Sequence, residues 1–114
     1  MILVSALGAF IGLEKIMKNG GMIMKFRKKP VVINAWPVSD ILRDAERNWK
    51  ELPEEVKVAY EKGDFVFTPN DIHVKTLEGV HITGKGDMLI QGVKGEFYGC
   101  KPDIFAETYE AVKD

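Results

Sequence analysis

The chain has 114 residues, a formal net charge of −1, 46% hydrophobic residues and 29% charged residues. These values are typical of one globular domain with a modest core. A charge near zero provides no overall field that would favour nucleic acid or an anionic membrane. The single cysteine, Cys100, excludes an internal disulfide framework and fits a reducing compartment, so we predict a cytoplasmic location. We interpret Cys100 as a half-buried thiol on a strand rather than as a nucleophile.

Residues 1–23 differ from the rest of the chain. They begin with an apolar run that is shorter than the roughly 20 residues of a membrane-spanning helix and lacks the positive flank of a secretory signal. An anchor at a membrane interface is one interpretation. A simpler one is that Gly20-Gly21 is encoded by a purine-rich ribosome-binding sequence and that Met24 is the true start. We therefore predict that residues 1–23 are an N-terminal extension and that residues 24–114 form a single α+β domain.

A basic cluster precedes the first predicted strand of this domain. It consists of Lys25, Arg27, Lys28 and Lys29. Such side chains contact phosphate, but the cluster lacks the interleaved aromatic residues and the larger basic face of a nucleic-acid site. We therefore favour a solvated start to a strand at residues 31–36, and nucleic-acid binding is the weaker interpretation.

Two helices are predicted between this strand and the next. Ser39 is a good N-cap, and apolar residues recur at helical spacing from there as far as Trp49. A second helix is predicted at residues 54–62, with Tyr60 on its inner face and Gly63 as its stop. The mixed charges on both helices indicate solvated outer faces.

An antiparallel hairpin is predicted after a short strand at residues 64–68. Apolar and polar residues alternate there with period two, which is the pattern of a half-buried sheet. The predicted core face consists of Ile72, Val74, Val80 and Ile82. A turn at residues 77–79 would then place His73 and His81 close together on the polar face. Two histidines under-fill a zinc shell, so we predict no metal, and a metal site at this pair is the alternative.

A second hairpin is predicted in the C-terminal part of the chain. Residues 88–90 form a short apolar run between glycines, and Lys94-Gly95 suits a tight turn because glycine accepts a positive φ. The predicted register opposes Gln91 to Tyr98 and Leu89 to Cys100.

The residues that flank this hairpin also carry local signals. The Asp87 side chain is predicted to bond backbone N–H groups in the turn before it. Pro102 is predicted to open a short helix in which Ile104, Phe105 and Thr108 share the face that lies on the hairpin.

Six side chains are candidates for ligand or partner binding. They are Trp36, Asp87, Phe97, Tyr98, Lys101 and Asp103. Aromatic rings line ligand pockets but also fill cores, and the two aspartates also suit turn bonding and helix capping. No nucleophile, base and orienting group can be assembled from the sequence, so we predict no catalytic residue and no cofactor.

The chain from Met24 onward resembles a family of short proteins of unknown function that bacteriophages and prophages encode. The resemblance rests on residues 25–33 and 75–79 and above all on the stretch from Gly86-Asp87 through Lys101-Pro102-Asp103-Ile104-Phe105 to Tyr109-Glu110. This last stretch is similar to the small domain named for its Pro-Gly-Asp-Tyr-Gly motif. The resemblance implies a phage or prophage setting, in the cytoplasm of a bacterial host, and carries no mechanism.

We predict an α+β fold: a small, bent antiparallel sheet or partial barrel, with a helical insertion after the first strand and a short C-terminal helix. The function favoured by the sequence is that of a non-enzymatic phage accessory protein that binds a host or phage protein. The alternative is a pocket protein that sequesters or hydrolyses a nucleotide-like molecule. A flat apolar patch would favour the first, and a concave aromatic site with convergent polar groups the second. Homo-oligomer formation stays open, and no membrane contact is predicted.

Overall fold

The structure is a computed structural model that describes residues 2–6, 13–18, 21–26 and 29–112. Its strands are β1 (Ile2–Ala6), β2 (Leu13–Lys18), β3 (Gly21–Phe26), β4 (Val32–Pro37), β5 (Phe65–Phe67), β6 (Asp71–Thr76), β7 (Gly79–Gly84), β8 (Met88–Gln91), β9 (Phe97–Cys100) and β10 (Tyr109–Ala111). Its helices are α1 (Val38–Arg47), α2 (Glu54–Glu61) and α3 (Pro102–Thr108), with a 3-10 turn at Trp49–Glu51.

The strands form antiparallel sheets. One sheet has five strands in the order β10-β1-β4-β8-β9, a second has three in the order β5-β6-β7, and β2 and β3 form a separate hairpin. The helices α1 and α2 follow β4, and α3 follows β9. The predicted small α+β fold is therefore confirmed, with a helical insertion and a short C-terminal helix. Within the described residues, no sheet closes into a barrel.

The strand β1 lies within residues 1–23, the segment predicted to be an N-terminal extension. Its Ile2–Ala6 backbone lies between β4 and β10, and Val4 is opposite both Ile33 and Ala111. A strand rich in Ile, Leu and Val fits this central position, because sheet pairing satisfies its backbone on both sides. The start at Met24 and the domain boundary there stay predictions.

Two hydrophobic clusters lie on the two faces of the five-stranded sheet. The larger is formed by side chains of the sheets and of the α1–α2 region: Trp36, Val38, Ile41, Leu42, Leu52, Val56, Ala59, Phe65, Ile72, Val74 and Leu89. The smaller contains Ile33, Ala35, Ile90 and Tyr109, and Phe105 of α3 packs against it. Since adjacent residues of a strand point to opposite faces, Leu89 and Ile90 enter different clusters. Burial on both faces explains the unbroken apolar run of β8.

The start of α1 corrects the predicted N-cap. The helix begins at Val38, directly after β4, and its N-cap is Pro37, whose side chain offers no hydrogen bond. Ser39 therefore lies inside the first turn. The Val38 N–H donates instead to the Asp87 carbonyl, at 3.0 Å. Burial of Val38 and this backbone bond fix the helix start, so the capping preference of serine is overridden.

Three predicted inner-face residues of the helical segments lie at the surface. Trp49, which belongs to the 3-10 turn, and Tyr60 of α2 are both exposed, and their rings meet edge to face at 5.0 Å. In α3, Phe105 stacks on Tyr109 while Ile104 is exposed. Neighbouring residues of a helix diverge by about 100°, so one short helix cannot bury both of these apolar side chains.

The register of the first hairpin corrects the predicted core face. Thr76 is opposite Gly79, so the turn has two residues, and His73 is opposite Ile82. An even-numbered turn places odd residues of β6 opposite even residues of β7. Ile72 and Val74 are buried as predicted, but Val80 and Ile82 are exposed. The prediction that these four share the core face is wrong because it assumed a three-residue turn.

The second hairpin forms where it was predicted but with a different register. Gln91 is opposite Phe97 and Leu89 is opposite Gly99, so the predicted pairs were shifted by one residue. The Gly95 N–H donates to the Gly92 carbonyl at 3.0 Å, and Gly95 has a φ of 83°. These are the features of a three-residue loop, in which a turn is followed by a left-handed glycine. The positive φ at Gly95 is confirmed, but the turn is longer than the predicted two residues.

Candidate functional site

The predicted aromatic candidates lie mainly inside the protein. Trp36 is only 3% exposed, and its ring stacks with that of half-buried Phe97 at 6.3 Å. Phe97 in turn meets Phe65 edge to face at 4.8 Å. These contacts belong to the larger hydrophobic cluster, so the structure brings Trp36 and Phe97 together as core residues. The Trp36 indole N–H has no hydrogen-bond partner within the described residues.

Tyr98 lies in the smaller cluster, apart from Trp36 and Phe97. Its hydroxyl is 3.3 Å from that of Tyr109. Burial of the ring, followed by the hydrogen bond to Tyr109, raises the pKa of Tyr98. The phenol therefore stays protonated and joins β9 to β10, which is a structural role.

Asp87 and Lys101 form a polar corner between β7 and β9. Asp87 is 9% exposed, and its Oδ2 accepts the Gly84 N–H at 3.0 Å, as predicted for the turn. Its Oδ1 is 3.5 Å from the Nζ of exposed Lys101. Asp103 lies exposed in the first turn of α3. The corner opens into a cavity of about 370 Å³ that is also lined by His81, Ile82, Thr83, Gly99 and Cys100.

Cys100, His81 and Asp87 line one cavity, and these are residue types that also occur in the active sites of cysteine enzymes. The pKa of the thiol argues against that role. Burial, reinforced by the carboxylates of Asp87 and Asp103, raises the pKa of the Cys100 thiol. An active cysteine needs the opposite shift, because the thiolate is the nucleophile. The half-buried strand position agrees with the structural interpretation of this residue.

We expect Cys100 to react slowly with iodoacetamide at about pH 8. A raised pKa lowers the thiolate fraction at that pH, so the rate in the folded protein should be below that of the same chain unfolded in urea. The rate should rise as the pH increases through the thiol pKa. Alkylation kinetics followed by mass spectrometry measure both rates. Faster reaction of the folded chain would show that Cys100 is activated.

The two histidines lie on opposite faces of their hairpin. His73 Nε2 is 3.0 Å from Asp71 Oδ1, whereas His81 is opposite Val74 and points to the other face. The prediction that the two histidines lie together on one face is therefore wrong, because the turn between β6 and β7 has two residues instead of three. In the part of the chain that the structure describes, no three metal-ligating side chains are grouped.

The basic cluster is only partly described. Lys25 and Lys29 are exposed, and Arg27 and Lys28 lie outside the described residues. Nucleic-acid binding by this cluster stays a prediction.

An exposed sheet face is the feature that the sequence did not predict. We name the outer face of β5-β6-β7 the outer patch. It consists of Val66, His73, Lys75, Val80 and Ile82. The apolar members Val66, Val80 and Ile82 are 58%, 63% and 65% exposed. A turn of two residues, Leu77 and Glu78, would have predicted Val80 and Ile82 on this exposed face.

A groove lies beside α1 and β5. It has a volume of about 740 Å³ and is lined by Ser39, Leu42, Arg43, Ala45, Glu46, Arg47, Tyr60, Phe65, Val66, Phe67, Thr68, Pro69 and Lys85. The rings of Tyr60 and Phe67 are parallel within 1°, with centroids 5.2 Å apart. Arg43 is 3.3 Å from both Asp40 and Asp44, which leaves Arg47 and Lys85 as the cations best placed to meet an anion.

No protein-family model, curated protein or solved structure matches the chain. Among the described residues, no helix combines the length and the apolar character needed to cross a membrane.

Proposed function

We propose that the protein is a non-enzymatic phage or prophage accessory protein that binds a host or phage protein through the outer patch. One observation carries this proposal: three apolar side chains are more than half exposed on one face of a sheet. Contiguous exposed apolar surface is costly in water and marks interaction sites on small proteins. The phage setting rests on the family resemblance.

The charges of the outer patch favour a particular partner surface. His73 is paired with Asp71, whereas Lys75 is exposed between the apolar residues and the hairpin tip. An apolar partner surface that carries a carboxylate opposite Lys75 would complement this arrangement.

The test is quantitative affinity capture from infected or lysogenic cells with purified protein as bait. We expect one protein to be retained by the wild type and reduced at least about tenfold by Val66→Lys, because a charge in a buried apolar contact costs more than 1.4 kcal/mol. Val93→Lys is the matched control, since Val93 is 64% exposed but lies in the β8–β9 loop. Equal capture by all three baits would refute the outer patch as the binding surface.

A second candidate function is sequestration of a small anionic molecule that contains a flat ring. The groove beside α1 favours it, because stacked Tyr60 and Phe67 offer an aromatic wall and Arg47 and Lys85 offer positive charge. Its volume lies in the range of small-molecule sites. This combination suits a nucleotide-like ligand, with the ring against the aromatic wall and phosphate near the cations.

Thermal unfolding with adenosine monophosphate as the probe tests the groove. Binding should raise the Tm with increasing nucleotide, and Arg47→Gln should abolish the rise while Lys62→Gln, outside the groove, should not. Adenosine and inorganic phosphate in separate arms show which part of the probe is recognised. No shift at millimolar concentrations of any of the three would refute this candidate.

A further inference from the structure

We propose that β7 pairs with β7 of a second copy of the chain, in antiparallel register about a two-fold axis at His81. The starting observation is that β7 is an edge strand: it has β6 on one side, and no ladder neighbour on the other side within the described residues. This inference goes beyond the binding of a partner by the outer patch and does not depend on it.

The register identifies which backbone groups of β7 are unused. In an antiparallel pair, hydrogen-bonded and non-hydrogen-bonded positions alternate. The Lys75 N–H donates to the Asp64 carbonyl at 2.8 Å, on the side of β6 that faces away from β7. Lys75 and its opposite residue Val80 are therefore a non-hydrogen-bonded pair, as are His73 and Ile82. The N–H and C=O groups of Val80 and Ile82 consequently point outward from the free edge.

The edge lacks the features that normally prevent pairing. Proteins protect edge strands with charged residues, prolines, bulges or very short strands. The six residues of β7 include no proline and no Asp, Glu, Lys or Arg. The other outer strands of the two larger sheets are shorter: β5 and β10 have three residues each, and β9 has four. The strands β2 and β3 of the separate hairpin have six residues each, but both include charged residues.

A second copy is the occupant that this edge fits best. With His81 on the axis, Val80 of one copy is opposite Ile82 of the other, and both pairs are of the hydrogen-bonded type. Both side chains belong to the outer patch, so each copy covers apolar surface that the other exposes. The strand carries no formal charge that would repel its own copy or select a differently charged partner. The result is one six-stranded sheet built from two three-stranded sheets.

The contact is small, so the dimer should be concentration dependent. Sedimentation velocity over a concentration series is expected to show monomer and a species of twice its mass. Ile82→Lys should raise the dissociation constant at least about tenfold, because it places a charge at the paired position. Val80→Lys is a second variant of the same kind, and Val93→Lys, exposed in the β8–β9 loop, should leave the dimer unchanged.

A cysteine at the axis provides an independent measurement. In a Cys100→Ser background, His81→Cys should form an intermolecular disulfide on mild oxidation, because facing residues of a non-hydrogen-bonded pair lie about 4.5 Å apart at Cα. Val93→Cys in the same background is the control. Monomer at all concentrations, together with cross-linking of His81→Cys no greater than that of the control, would overturn the proposal. A dimer that Ile82→Lys and Val80→Lys leave intact would overturn it as well.

The two proposals fail in different ways. Val66 lies on β5, at the opposite edge of the three-stranded sheet from β7. Val66→Lys should therefore reduce capture of a partner at least about tenfold while the dimer persists. In sedimentation velocity, Ile82→Lys should lose the dimer, whereas Val66→Lys should form it like the wild type. This pair of results supports β7 pairing, independently of the result of the capture experiment.

Discussion

Replacing Gly99 by valine is expected to destabilise the domain by about 3 kcal/mol or more. Gly99 lies on β9, where this strand passes buried Thr83 of β7. A Cβ at position 99 would overlap the Thr83 hydroxyl and lie 2.7 Å from Thr83 Cγ2 and 3.0 Å from Thr83 Cβ. Because a strand has little freedom to move away and the threonine is packed on its other sides, the overlap must separate the two sheets.

Urea unfolding followed by tryptophan fluorescence measures this loss. Gly86→Ala is the matched control, since a Cβ there meets nothing within 4 Å and should change stability by less than about 0.5 kcal/mol. Thr83→Ala removes the two closest atoms, so Gly99→Ala should cost less in that background than in the wild type. Equal costs in both backgrounds would show that the Thr83 contact is not the cause.

Features of the fold that depend on local chemistry were predictable from the sequence. The positive φ of Gly95, the turn bond of Asp87 and the opening of α3 at Pro102 each follow from properties of one residue and its immediate neighbours. The α+β class follows from the order of such elements. These predictions needed no knowledge of what lies across the sheet.

The errors in the predicted faces of the β6–β7 hairpin arise because the length of its turn decides which side chains face the core. Treating the turn at Leu77 as three residues long, instead of two, moved Val80 and Ile82 from the outer patch into the predicted core. It also placed His73 and His81 on one face. Because side chains alternate along a strand, a one-residue error exchanges the two faces of the whole strand.

The candidate sites were least predictable because distant segments build them. The groove combines α1, β5 and Lys85, which are separated along the chain by the 3-10 turn, α2 and the first hairpin. Its aromatic wall includes Tyr60, which periodicity assigned to the core. Only the packing of α2 beside β5 shows that this ring stays exposed and stacks on Phe67.

A chain that begins at Met24 is expected to lose at least about 3 kcal/mol of stability, because it lacks β1 as well as β2 and the first half of β3, and the loss of β1 leaves backbone groups of β4 and β10 without partners. Within the described residues, β1 is the sole ladder partner of β10, and it also pairs with β4. The strand β4 contributes side chains to both hydrophobic clusters. Without β1, β10 has no partner strand, and one edge of β4 loses its ladder. The sequence alone suggested the opposite result, since it assigned residues 1–23 to an extension.

A single substitution separates the pairing of β1 from other effects of truncation. Val4 is opposite Ile33 on one side and Ala111 on the other, so its backbone belongs to a central strand. Val4→Pro removes the N–H and imposes the proline φ, which a central strand does not tolerate, whereas Val4→Ala keeps the backbone intact. In urea unfolding, Val4→Pro should therefore lower the free energy of unfolding as much as the truncation does, and clearly more than Val4→Ala.

If the free energies of unfolding of the truncated chain and of Val4→Pro both lie within about 0.5 kcal/mol of that of the full chain, then β1 contributes nothing to the fold. The domain would in that case begin at Met24, as the ribosome-binding signal predicts.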